Sequence, residues 1–184
     1  HYIGDANVPL HTTINYDGQL TNQQGLHSLW ESMIPELEME QYNLYSGHKV
    51  RYLRNPIKDV FHAIKRAHEL VPTMLAKEVE TSLAFNDSTK YRYQMRNGKQ
   101  SRSYTTAFAK AYSEKLQPTI NQQLLHSADM IADFWYTAWV DAGKPNLNGI
   151  TNWSPEKKEQ YATEQAAYQS NSLIKENLLE ARKK

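Results

Sequence analysis

Residues 118–142 read PTINQQLLHSADMIADFWYTAWVDA. Ile120, Leu124, Ile131, Trp135 and Trp139 recur at the spacing of one helix face. Pro118 falls in the first turn, where a missing N–H costs nothing, and Gly143 stands just past the end, where a left-handed residue stops a helix. This is the clearest helix in the chain, and its neighbours follow the same period. Ile57, Val60, Phe61, Ile64, His68 and Val71 form one face of a helix over about 57–71, which Pro72 breaks or kinks before a shorter helix with Leu75, Val79 and Leu83. Residues 102–115 place Tyr104, Phe108, Ala111 and Tyr112 on one side. No segment alternates convincingly as a strand, so the expected architecture is all-α, six or seven helices in one layered bundle.

Towards the N-terminus, residues 1–6 read as the last turns of a helix, ended by Pro9. Residues 12–20 carry the loop signals Asn15, Asp17 and Gly18. A helix starting near Thr21 or Asn22 includes Leu26, Trp30 and Met33, with Pro35 near its end. Residues 85–100, with Asn97-Gly98, read as a polar loop. Towards the C-terminus, KPNLNGITNW is a loop, and Ser154-Pro155-Glu156 caps a polar tail helix expected to end in ARKK.

Composition narrows the possible functions. The 184 residues suit one domain, and 40% hydrophobic content with four Trp and twelve Tyr excludes a disordered chain. The net charge is +1, so a nucleic-acid partner needs a local site rather than a general basic surface. With no cysteine, a metal must be held by His and carboxylate. The most apolar run, MIADFWYTAWV, is eleven residues and contains Asp133, too short and too polar to span a membrane. No secretory leader is recognisable and the chain does not open on Met; a processed product or a piece of a longer protein is expected.

The residues that could carry chemistry lie in HYIGDANVPLH (1–11) and GLHSLWE (25–31). His1 and Asp5 are four apart, as are His27 and Glu31, so each pair shares a helix face, and His11 sits in the turn between. Imidazole and carboxylate donors on rigid helices are what zinc requires in a cysteine-free protein. An i,i+4 His–Asp pair is also an ordinary weak ion pair on a solvated face, and spacing leaves both readings open.

These two motifs resemble the zinc-ligand signature of the S1/P1 nuclease and zinc-dependent phospholipase C superfamily. FWYTAWVDAGKPNL is similar to the closing helix of its bacterial branch. The resemblance covers residues 1–145; the loop and polar helix of 146–184 lie beyond it. It implies a helical phosphoesterase fold whose N-terminal part is missing here. The implied site holds up to three zinc ions that hydrolyse a phosphate ester of nucleic acid or phospholipid with metal-activated water. It assigns His11, His27 and Glu31 to one zinc, the most complete site in this chain. It makes Asp5 a carboxylate bridging two others and His1 a ligand of one of that pair.

Three departures stand out. Glu31 replaces the usual Asp, Asn7 replaces a His that is not a primary ligand, and the remaining ligands belong to an upstream segment of the same protein. Should His1 be a true N-terminus, its amine and imidazole could instead chelate a metal together. Secretion, or residence in a periplasm, is implied by the resemblance alone. The rival expectation is a non-catalytic helical binding or structural protein with a degenerate metal site.

His48, His62, His68 and His126 have no partner at ligand spacing and read as structural or surface residues. Trp30, Trp135 and Trp139 read as core, Trp30 also as a wall of the site. Tyr16 could stack a base or flank a lipid headgroup, or be a plain loop residue. KYRYQMR mixes basic and aromatic residues as single-strand binding surfaces do, although a solvated loop has the same composition.

Overall fold

The computed structural model describes residues 1–96, 98–116, 118–148 and 153–180. It opens on a single helical turn, α1 (Tyr2–Asp5), followed by a 3-10 turn (Pro9–Thr12) that the proline initiates. The next helix starts later than expected, at Leu26. It runs as α2 (Leu26–Ser28), a π turn (Leu29–Met33) and α3 (Ile34–Glu38). In the π turn the Ile34 N–H donates to the Leu29 carbonyl, five residues back. Pro35 follows with no N–H to offer the Glu31 carbonyl, and the wider turn carries the chain past it.

Two helices, α4 (Pro56–His68) and α5 (Val71–Ser82), meet at the break expected at Pro72. A short α6 (Asp87–Lys90) leads into an antiparallel hairpin of β1 (Tyr91–Arg96) and β2 (Lys99–Tyr104). The chain is therefore mainly helical, as expected, with one small two-stranded sheet among the described residues, and most of the stretch expected as a loop over 85–100 is instead α6 and hairpin. After α7 (Thr106–Leu116) comes α8 (Thr119–Asp141), the long helix legible in the sequence. The last helix is α9 (Pro155–Gln169), capped by the Ser154 side chain as expected. It ends at Gln169, and the ARKK at 181–184 lies outside the described residues.

The core lies where the α2–α3 run, α5, α7 and the base of the hairpin meet. Leu10, Leu26, Leu29, Trp30, Ile34 and Met74 close on the aromatic column Tyr104, Phe108 and Tyr112, spaced four apart. The Tyr104 and Phe108 rings stack at 4.9 Å, and Tyr91 sits 5.0 Å from Tyr104 across the strands. Burying three such rings supplies much of the driving force here. One carboxylate is enclosed with them. Glu78 accepts hydrogen bonds from Gln23 Nε2 (2.6 Å) and Tyr104 Oη (2.9 Å), and pairs with Lys90 Nζ at 2.7 Å.

Two expected faces are corrected. Trp135 is 76% exposed, and Trp139 is half-buried with its indole N–H on the Pro145 carbonyl, so only Trp30 of the three is core. The covered face of α8 instead includes Asp133 and Thr137, because an extended segment lies along it. Leu53 N–H donates to Thr137 Oγ1, Arg51 N–H and Nε–H donate to Asp133, Ser46 donates to Asp129, and Tyr52 donates to Asp141. A segment with no strand partner must satisfy its backbone on side chains, and α8 offers them every fourth residue. On α4, Ile57 and Phe61 are exposed while Ala63 and Ala67 are buried. The small alanines let α4 approach the 3-10 turn that carries His11.

Candidate metal centre

Three short pieces of backbone aim three side chains at one point. His11 stands on the 3-10 turn between Leu10, fully buried, and Thr12, whose hydroxyl donates to the Pro9 carbonyl at 2.7 Å. His27 lies in the first helical turn after Gly25, and Glu31 follows one turn on, within the π segment. Their ligand atoms lie within 4.8 Å of one another, a group that could hold a metal ion. Nε2 of His11 is 3.3 Å from Nε2 of His27 and 3.7 Å from Glu31 Oε2, and His27 Nε2 is 2.5 Å from Glu31 Oε2.

The protonation pattern follows from the partners. His27 Nδ1 lies 3.0 Å from the Tyr16 carbonyl, which can only accept, so the Nδ1 proton is fixed. Neutral His27 then presents a bare Nε2 lone pair to a carboxylate oxygen at hydrogen-bond distance. Two acceptors cannot share that separation without a cation between or beside them, either a proton on Nε2 or a metal. The two longer separations are close to the roughly 3.3 Å edge of a tetrahedron with ligand bonds of about 2.0–2.1 Å. The donor set of two imidazoles and one carboxylate suits zinc and leaves a fourth position open.

Asp5 is outside this trio. Its Oδ2 lies 3.3 Å from His1 Nε2 and its Oδ1 3.9 Å from His11 Nδ1, so it spans the two imidazoles. The His1 side chain is largely exposed. Asn7 is fully buried and structural: its Oδ1 accepts from Arg66 and its carbonyl from Gln123. Asp5 and Glu31 also line a cleft of about 350 Å³ whose other walls include Val8, Trp30 and Leu124. Trp30 is thus both core and wall.

The loop before the site holds it in place. Asn15 is buried and accepts from Leu20 N–H, and Asp17 Oδ1 accepts from His27 N–H at 3.3 Å. Tyr16 serves through its carbonyl, while its ring is exposed. Gly18 makes the turn with φ +75°, and a Cβ there would meet the Gln23 carbonyl oxygen at 2.4 Å. Gly18→Ala is therefore expected to cost roughly 2–3 kcal/mol. Should the trio hold a metal, the variant should also bind it more weakly with every ligand kept, and urea denaturation and metal titration of the one variant measure both effects.

A second cluster escaped the spacing analysis. His48, His62 and His126 line one cleft of about 300 Å³ with Arg66, Asp129 and Asp133. His48 is not partnerless, since its Nε2 bonds Asp133 Oδ1 at 2.7 Å. His68 likewise pairs with Thr12 Oγ1 at 2.9 Å. Burial, with the Arg66 charge beside it, holds His126 below the usual imidazole range, partly offset by Asp129. The available signal was Asp59, His62 and Arg66 at helical spacing, which places them on one side of α4. Their partners on α8 and on the extended segment come from the tertiary fold alone.

Fold and site define a mainly helical protein in which two imidazoles and one carboxylate converge on a point that could hold a metal ion. Comparison of the chain with protein-family models, with curated proteins and with solved structures finds no match in any of the three. Among the described residues, no helix is long and apolar enough to cross a membrane.

Proposed function

We propose that this chain carries a zinc site of a phosphoesterase, acting on a phosphodiester of nucleic acid or phospholipid, in a fold of the phospholipase C/P1 nuclease type. The observation that carries the reading is the convergence of His11 Nε2, His27 Nε2 and Glu31 Oε2, with the opposite nitrogen of His27 tied to a backbone carbonyl. The sequence resemblance supplies the reaction class. Zinc bound there supplies a Lewis acid that polarises the phosphoryl group and acidifies a water.

The chain's own residues do the rest. Tyr16 and Asp17 orient His27 from both its ring and its backbone. Asp5 places a carboxylate oxygen 3.9 Å from His11 Nδ1, on the ring nitrogen that faces away from the trio. Glu31 reaches the trio from the π turn, its Oε2 2.5 Å from His27 Nε2. The cleft beside them offers polar Asp5 and Glu31 at one side and apolar Val8, Trp30 and Leu124 at the other, room for an ester group with an apolar or planar substituent. Secretion belongs to this reading through the resemblance only.

Elemental analysis of the purified chain is expected to find about one zinc per chain. Zinc-dependent hydrolysis of bis(p-nitrophenyl) phosphate should be lost in EDTA and restored by added zinc. Bound zinc without hydrolysis would favour the non-catalytic alternative. A chain that binds no zinc overturns the metal site itself.

A further inference from the structure

Residues 88–113 contain Lys90, Arg92, Arg96, Lys99, Arg102 and Lys110 and no Asp or Glu, in a chain whose net charge is only +1. The hairpin concentrates this charge on a ribbon. The strand register pairs Arg92 with Ser103, Gln94 with Ser101 and Arg96 with Lys99. Because alternate residues share a face, positions 92, 94, 96, 99, 101 and 103 lie together, occupied by Arg, Gln, Arg, Lys, Ser and Ser. Arg92, Gln94, Ser101 and Ser103 are all exposed. The opposite face carries Tyr93 and Met95, also exposed, and Arg102 lying 4.1 Å from the centre of the Tyr91 ring. The acids nearest the ribbon are already engaged: Glu78 is buried on Lys90, and Asp87 accepts from Tyr93 Oη.

We propose that this ribbon is a docking surface for a nucleic-acid strand. The charge is complementary to a phosphate backbone, and the Gln and Ser side chains between the cations are donors for phosphate and sugar oxygens. A membrane surface fits less well, because residues 91–104 include no Leu, Ile, Val, Phe or Trp to enter hydrocarbon. The ribbon is also aimed usefully. Its base stands on the segment that enters the His27 turn, since Arg102 donates to Gln24 Oε1 and Tyr104 Oη lies 3.2 Å from the Gln23 carbonyl oxygen. Docking on the ribbon is independent of the metal; that the docked strand is also the substrate rests on the phosphoesterase reading.

The test separates the two. Anisotropy of a fluorescein-labelled 20-nucleotide single strand is followed in EDTA, where nothing can be hydrolysed through zinc, across a salt series. The triple variant Arg92→Ala, Arg96→Ala, Lys99→Ala should bind at least ~10-fold more weakly and flatten the log–log salt slope by about 2. It should hydrolyse bis(p-nitrophenyl) phosphate like the parent and keep its circular dichroism. Unchanged oligonucleotide affinity in the variant, or no binding by the parent, overturns the docking surface. So does ribbon-dependent binding to phosphatidylserine vesicles with none to the oligonucleotide, which would assign the ribbon to membranes. If the oligonucleotide binds through the ribbon but neither protein hydrolyses the small ester with zinc, the docking surface stands and the phosphoesterase reading falls.

Discussion

His27→Ala should lower zinc affinity by more than ~100-fold, beyond the 10–100-fold typical of outer-shell partners, and abolish zinc-dependent ester hydrolysis. His27 is the hinge of the trio: its Nε2 is 3.3 Å from His11 and 2.5 Å from Glu31, so its loss leaves the other two 3.7 Å apart with no third donor. Zinc titration by calorimetry reads the effect directly. His68→Ala is the matched control, since His68 bonds Thr12 beside the site without joining it. Zinc should also be released on acidification, because protonated imidazoles are not ligands. A His27→Ala chain that binds zinc like the parent would falsify the assignment of the trio.

Glu78→Ala should destabilise the fold by about 3–5 kcal/mol, the cost of stranding a charge that was paired inside a protein. Glu78 is 1% exposed and answers three donors at once: Gln23, Tyr104 and Lys90. Removing it leaves the Lys90 ammonium among the Tyr91, Tyr104 and Phe108 rings, all within 6 Å, with no counter-ion. Urea denaturation measures the loss, and Glu78→Gln should recover only part of it, because its amide keeps one acceptor oxygen where Gln23 and Tyr104 need two. The same enclosure sets an alkaline limit. Burial first, and the Glu78 charge second, hold the Tyr104 and Tyr112 phenols well above the usual tyrosine range. The unfolded chain gives up these protons near pH 10 while the fold retains them. Stability is therefore whole below about pH 10 and declines as pH rises above it. A midpoint in urea that is flat from pH 9 to 11 would contradict this.

Much of the fold was legible in the sequence. Pro118 and Gly143 bracket α8 within a residue or two, Pro72 marks the junction of α4 and α5, and Ser154 caps α9. These features act through backbone geometry and local hydrogen bonds, which neighbours in the chain suffice to specify. The hairpin was hidden because its strands are polar and mostly exposed. Among its described residues only Tyr91 and Tyr104, at its base, are buried, so the apolar alternation that betrays a strand is nearly absent.

By itself, then, the sequence determined the limits of α8, the break at Pro72 and the cap of α9, and that His27 and Glu31 share a helical turn, because a period of 3.6 is a property of the local chain. It determined too that a metal here must take nitrogen and oxygen donors, there being no cysteine. Only the tertiary structure decided that His11 closes on that pair across sixteen residues, and that Asp5 spans His1 and His11. It alone turned Trp135 outward and Asp133 inward, and gathered His48, His62 and His126 around one cleft. The period of a helix says which residues share a face. What covers that face is settled by the partner, here an extended segment whose unpaired backbone needed polar side chains rather than tryptophans.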